Sequence, residues 1–191
     1  MARPRSEDKR NAILEAAARV IAVEGVSAPT AKIAKLARVA EGTLFTYFNN
    51  KDELLNELYL QLKTELRETM ATQALKATKS LKATALHAWT HYVNWGVANP
   101  EKRKVLAQLG VSDRITAKSK AAGMVGFTEL NAFLSQAVGS KMLRQQSTVF
   151  VGSLLGAIAE TTMDFIVRDP ARAANYSQAG FEAFWNSLGT K

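Results

Sequence analysis

The sequence predicts an all-α fold, about nine helices divided into a three-helix N-terminal head and a larger helical domain. Three observations carry that expectation. Apolar side chains recur at the three-and-four spacing of a helix from Ile13 to Trp185. Alternating strand patterns and strand-turn signals are lacking. The helical stretches are punctuated by residues that stop or start helices, such as Gly25, Asn99 with Pro100, and Asp169 with Pro170.

The first helix is expected from Ser6 to Val23, with Ser6 as cap, Glu7 and Asp8 complementing the helix dipole, and Ile13, Leu14, Ala17, Val20 and Ile21 as its buried stripe. A second, from Pro29 to Ala37, turns Ile33, Leu36 and Ala37 inward and Lys32 and Lys35 outward. A third, from Ala40 to Phe48, buries Leu44 and Phe48 at an i, i+4 spacing. Asn49 or Asn50 caps a long fourth helix from Lys51 to Thr72. Further on, Leu86, Trp89, Val93 and Val97 form one stripe, and a short helix runs from Pro100 to Leu109 before the loop GVSDR. Helices from Thr116 to Val138, Leu143 to Arg168 and Pro170 to Leu188 complete the chain.

Composition narrows the function. Lys plus Arg exceed Asp plus Glu by 25 − 17 = +8, and residues 1–51 contribute 9 − 5 = +4 of that. Such a charge favours a polyanionic partner. Cysteine is absent, which excludes disulfide, zinc-thiolate and thiol-redox chemistry. The N-terminus has no apolar h-region, and no run approaches the roughly 20 apolar residues of a membrane span, so a cytoplasmic protein is expected.

Two short helices joined by a tight turn, followed at once by a third, are the arrangement that places a helix in the DNA major groove. The residues IAKLARVAE and GTLFTYFNNKDELL resemble the helix-turn-helix signature of TetR-family transcriptional repressors. Two positions depart from the family pattern. Arg38 takes the turn position usually held by Gly, and Ala40 the capping position usually held by Ser or Thr. Glu41 offsets part of the lost cap through the helix dipole. The resemblance implies that Glu41, Gly42, Thr43, Phe45 and Thr46 face the bases, while Thr30, Tyr47 and Lys51 meet phosphates. Phe45 has a second reading as core. Arg3 and Arg5 flank Pro4 in an arm suited to an adjacent groove or to solvent.

The resemblance further implies a DNA-binding domain over 1–51, a ligand-binding and dimerisation domain over 52–191, and a homodimer on palindromic double-stranded DNA. Val149, Gly152, Leu155, Gly156 and Ala159 permit close helix approach, and Phe181, Phe184 and Trp185 add aromatic area, so these form the expected dimer surface. The expected effector pocket is lined by Tyr59, Trp89, Tyr92, Met124, Phe127 and Leu155, within a population of soft side chains that includes Trp95, Phe133, Met142, Phe150 and Met163. Core packing is the alternative for each. The segments MARPRSEDK, VAEGTLF, KDELLNELYL, AETTMDF and RDPARA are similar to the multidrug-responsive RamR-type branch. That likeness implies control of drug efflux and release by bile acids, dyes or lipophilic cations. It puts Tyr59 at a pocket position, but Leu155 where an aromatic platform and Gly152 where an acidic contact are expected. Glu160 and Asp164 remain to counter a cation, or lie on a solvated face.

An enzyme lacks parts here: there are two His, no phosphate-cradling loop and no HExxH pattern. His87 and His91 are i, i+4, but no third metal ligand is evident and flanking Trp89 and Tyr92 point to packing, so no metal or cofactor is expected. A DNA-binding regulator without an effector is the second alternative. It would share the head and have a filled C-terminal core.

Overall fold

The computed structural model describes residues 6–70, 80–125, 127, 132, 135, 138–139 and 141–189. It is all-helical over them. The arm holding Arg3 and Arg5, Phe133, most of the expected helix beyond Val125, and the side chains of Met142 and Val149 lie outside the described residues. The helices are α1 (Glu7–Glu24), α2 (Thr30–Leu36), α3 (Glu41–Tyr47), α4 (Lys51–Met70), α5 (Leu81–Ala98), α6 (Pro100–Val111), α7 (Ala117–Val125), the single-turn α8 (Lys141–Arg144), α9 (Thr148–Arg168) and α10 (Ala173–Ser187). A 3-10 turn, Pro170–Arg172, precedes α10.

The chain divides into two compact units, Met1–Glu65 with Asn99–Val125, and Leu66–Ala98 with Gly126–Lys191. This differs from a division at residue 51. The start of α4 and all of α6 and α7 belong with the head, because Leu54, Leu55, Leu58 and Leu62 on α4 and Val105 and Leu109 on α6 share one core with Ile13, Leu14, Ile33, Leu44 and Phe48. The alanines of α1 allow this. Ala16, Ala17, Ala18 and Ala22 are all buried, so α1 accepts α2 and α6 closely around a face wider than one stripe. Ion pairs reinforce the unit: Arg10 pairs with Glu57, and Lys102 on α6 reaches Glu15 on α1 at 3.3 Å and Glu65 on α4 at 2.9 Å.

Helix ends show where local signals were sufficient. Gly25 adopts φ 82° beyond α1, and its N–H returns to the Ile21 carbonyl at 2.8 Å. Asn50 accepts the Glu53 N–H at 2.8 Å while the Glu53 carboxylate accepts the Asn49 N–H at 2.7 Å, a variant of the reciprocal capping box. Thr116 accepts the Ser119 N–H at 3.1 Å ahead of α7. Ser6 is a correction: its hydroxyl makes no cap bond, and its N–H instead donates to the Tyr47 hydroxyl at 3.1 Å.

The second unit packs α9 against α5 and α10. Trp89 of α5 stacks on Phe184 with centroids 5.6 Å apart, and its indole N–H donates to the Ser177 carbonyl at 3.1 Å. Gly180 lets this happen, since a Cβ there would lie 2.8 Å from the Trp89 ring and closer still to the Thr162 hydroxyl. Leu86 is exposed and leaves the expected stripe of α5, as Leu36 does on α2. The helix expected from Leu143 to Arg168 is broken, because the Ser147 hydroxyl accepts the Phe150 N–H at 3.2 Å and restarts it as α9. Asp169 likewise turns its carboxylate to the Tyr176 hydroxyl at 3.3 Å instead of capping.

Candidate nucleic-acid interface

The turn between α2 and α3 is built without glycine. Arg38 adopts φ 56°, the only positive value at a non-glycine among the described residues. Val39 N–H returns to the Ala34 carbonyl at 3.0 Å and Arg38 N–H to Lys35 at 3.2 Å, the paired bonds of a Schellman motif. These bonds, with Val39 packed on the core, hold a conformation that costs a non-glycine residue about 1–3 kcal/mol. Ala40 occupies the cap of α3 with no side-chain bond.

On α3, Leu44 is fully buried and Phe48 follows it into the core, so the helix is anchored on one side. Its other side holds Glu41, Gly42, Phe45 and Thr46, all exposed, with Thr43 and Tyr47 half-buried. Phe45 is 42 % exposed and therefore outside the core. Gly42 faces open space: a Cβ there would meet no atom within 4 Å. Five polar candidates already have partners, Tyr47 among them through the Ser6 N–H that its hydroxyl accepts at 3.1 Å. Thr30 donates to the Glu41 carboxylate at 2.6 Å, Thr46 donates to the Thr43 carbonyl at 2.6 Å, and Lys51 donates to the Ala28 carbonyl at 2.6 Å. Burial lowers the Lys51 pKa, and the neighbouring charge of Arg114 lowers it further against the opposing pull of Asp52.

Sequence reasoning missed Asn56. Only 9 % exposed, it donates to the Asp52 carbonyl at 2.7 Å and the Arg114 carbonyl at 2.9 Å, and its own carbonyl accepts the Thr116 N–H at 3.0 Å. It therefore clamps the turn between α6 and α7 to the first turns of α4. A buried Asn at a helical core position is the signal that could have found it.

The residues expected to line an effector pocket are divided between the units. In the first, Tyr59 is buried and lies against Gly123, where a Cβ would come within 2.8 Å of its ring; Met124 is exposed. Burial raises the Tyr59 pKa and lowers that of Lys63, whose ammonium lies 5.7 Å from the Tyr59 ring centre. In the second, Trp89, Phe127 and Leu155 are buried, and the Tyr92 hydroxyl donates to Glu160 at 3.3 Å. Asp164 is exposed. His87 and His91 lie with ring centres 4.3 Å apart.

The expected dimer surface needs correction. Phe181 and Phe184, 3 % and 6 % exposed, are committed with Leu155 and Ala159 to the chain's own core, because they fill the space beside Trp89. Trp185 is half-buried, and Gly152 and Gly156 face open space. The exposed large apolar side chains of α9 are Phe150, Leu154 and Phe165 on one side and Val167 on another. The segment Phe150–Arg168 is long and apolar enough to cross a membrane by length and composition, contrary to the sequence expectation, although it carries Glu160, Asp164 and Arg168.

Residues 13–58, which span this head from α1 into α4, match the family described as bacterial regulatory proteins, tetR family. The head thus resembles the DNA-binding domain of TetR-family transcriptional regulators. It is 41 % identical over 64 residues to the uncharacterized HTH-type transcriptional regulator YhgD of Bacillus subtilis, covering 33 % of this chain and 34 % of the relative. It is 33 % identical over 81 residues to the fatty acid metabolism regulator protein of the same organism, covering 42 % of each. The matched stretches thus span well under half of these curated relatives. A tetR family transcription regulator from Shewanella sp. PV-4 superposes with a TM-score of 0.80 at 26 % identity, over 96 % of this chain and 98 % of that one. FadR from Bacillus subtilis in complex with stearoyl-CoA gives 0.69 at 19 % identity, over 91 % and 96 % of the chains. LfrR from Mycobacterium smegmatis in complex with proflavine gives 0.68 at 17 %, over 93 % and 95 %. Identities this low speak to the fold alone. The named relatives are of YhgD and FadR type and do not single out the RamR-type branch.

Proposed function

We propose that this regulator is a cytoplasmic repressor that binds a palindromic operator as a homodimer and is released by an amphipathic small molecule. The observation that supports it most is the division of α3: Leu44 and Phe48 anchor one side, while Glu41, Gly42, Phe45 and Thr46 form an uncovered face. The open space at Gly42 serves no packing need of the chain, and fits close approach of a DNA backbone or base edge. Thr43 and Thr46 complete the base-facing set, and Thr30, Tyr47 and Lys51 flank it as phosphate contacts. The dimer uses the exposed side of α9 with Gly152, Gly156 and Trp185, and Val149 of the same helix belongs to the proposed set.

The effector is an amphipathic molecule with an extended or planar apolar body. Control of multidrug efflux is the process that the sequence resemblance favours. Control of fatty-acid metabolism is a second reading, favoured by the fatty acid regulators among the relatives. The close packing of Trp89, Leu155 and Phe184 favours a third, an effector-independent regulator. Titration of the operator complex with stearoyl-CoA, a bile acid and proflavine separates them. Release by the acyl-CoA alone supports the metabolic reading, and release by the bile acid or dye the efflux reading. A compound that saturates the protein, seen by quenching of Trp89 and Trp95, yet leaves operator affinity unchanged would contradict induction by that compound.

A further inference from the structure

We infer that the turn between α6 and α7 carries a second phosphate contact to the operator through Arg114. The inference rests on the reading of the head as a DNA-binding surface and adds to it an element outside the helix-turn-helix. Arg114 is held at the same end of α4 as Lys51. Its backbone carbonyl accepts the Asn56 side chain at 2.9 Å, and Asn56 in turn donates to the carbonyl of Asp52 at 2.7 Å. Thr116 doubles the tether by donating its N–H to Asn56 at 3.0 Å. The backbone of the turn is thereby locked to the first turns of α4 by a buried side chain. A guanidinium that needs only to reach solvent requires no such lock.

The charge around that end points to an anion. Lys51 and Arg114 are two cations gathered about the single carboxylate of Asp52, to which Arg114 donates at 2.7 Å. They are close enough that Arg114 disfavours the protonated form of Lys51. A phosphate relieves that repulsion by accepting from both cations. The Arg114–Asp52 pair is about half exposed on both sides, 48 % and 59 %, so it exchanges partners at little cost. Asp113, exposed beside Arg114, is the one neighbouring carboxylate in the turn that opposes an anion. In this arrangement the turn that would shift with α6 touches the operator itself, so an effector acts on DNA through a direct contact as well as through the position of α3.

The test is the salt dependence of binding to a palindromic duplex selected from a random library, using the full chain. Arg114→Gln is expected to weaken binding to all operator variants alike and to reduce the log–log salt slope by about 0.9 for each half-site. Arg114→Lys keeps the slope. Asp52→Asn, which frees Arg114, strengthens binding. Thermal melting of each variant separates these effects from loss of fold. An unchanged slope in Arg114→Gln overturns the inference. So does equal weakening by Asp52→Asn and Arg114→Gln, which is the pattern of a purely structural pair. Wild-type protein that enriches no duplex overturns the DNA-binding reading itself, and this contact with it.

Discussion

Arg38 concentrates the strain of the head in one residue. Its φ of 56° is held by the Schellman bonds of the turn, and its exposed side chain gains nothing from the conformation. Arg38→Gly should therefore stabilise the protein by about 1 kcal/mol, after the greater chain entropy of glycine is subtracted, read as a higher urea midpoint at unchanged slope. On the proposed function, Lys51 and Thr46 contribute differently to DNA binding. Lys51→Ala removes a cation and its bond to Ala28, so binding weakens for every sequence with a shallower salt dependence. Thr46 ties its hydroxyl to the Thr43 carbonyl and leaves a methyl and a lone pair outward. Thr46→Ala should change preference at one base pair and leave the slope intact, as measured across single-base operator variants. Asn56→Ala removes the buried amide that joins the Arg114 carbonyl and the Thr116 N–H, leaving these part-buried bonds unmade. A loss of about 2–3 kcal/mol in unfolding free energy is expected.

Among the elements, the helices with strong local signals were legible in the sequence, and those settled by tertiary partners were not. α1 to α4 lie within a residue or two of the expected bounds over the described residues, because Gly25, Asn50 and the Leu44 and Phe48 spacing act locally. The break before α9 was missed, since Ser147 reads equally well as a helix interior or as a cap until its hydroxyl finds the Phe150 N–H. Leu36 and Leu86 followed the periodic pattern and yet face out, because periodicity tells which residues share a stripe but not how wide a neighbour covers it. The outward side of α3 was legible for the same reason that its anchor was. The burial of Phe181 and Phe184 was not, because aromatics on a terminal helix suit a partner and the chain's own core equally well. Gly180 sets the approach of α10 to α5 and α9. Gly180→Ala should cost about 1–3 kcal/mol by overpacking against Thr162 and Trp89, with a lowered melting temperature and altered near-ultraviolet circular dichroism as the readout.

At the scale of the molecule, two faces carry the account: the exposed side of α3 and the exposed apolar side of α9. On the proposed function a second copy covers the α9 face, because one helix-turn-helix reads too few base pairs to select a site and a two-fold dimer doubles the reading. Leu154→Glu puts a charge in the middle of the α9 face. It should leave helicity intact, give a monomer in sedimentation velocity, and reduce operator affinity by about 100-fold or more as the linked second half-site is lost. The central claim is that this chain is a sequence-specific DNA-binding protein reading a two-fold site, and selection of bound duplexes from a random library at physiological salt tests it most directly. A dimeric reader should enrich a palindrome whose half-site centres lie about one helical turn, 34–36 Å, or a multiple of it apart. Recovery of no preferred sequence, or of a preferred sequence without two-fold symmetry, would contradict it.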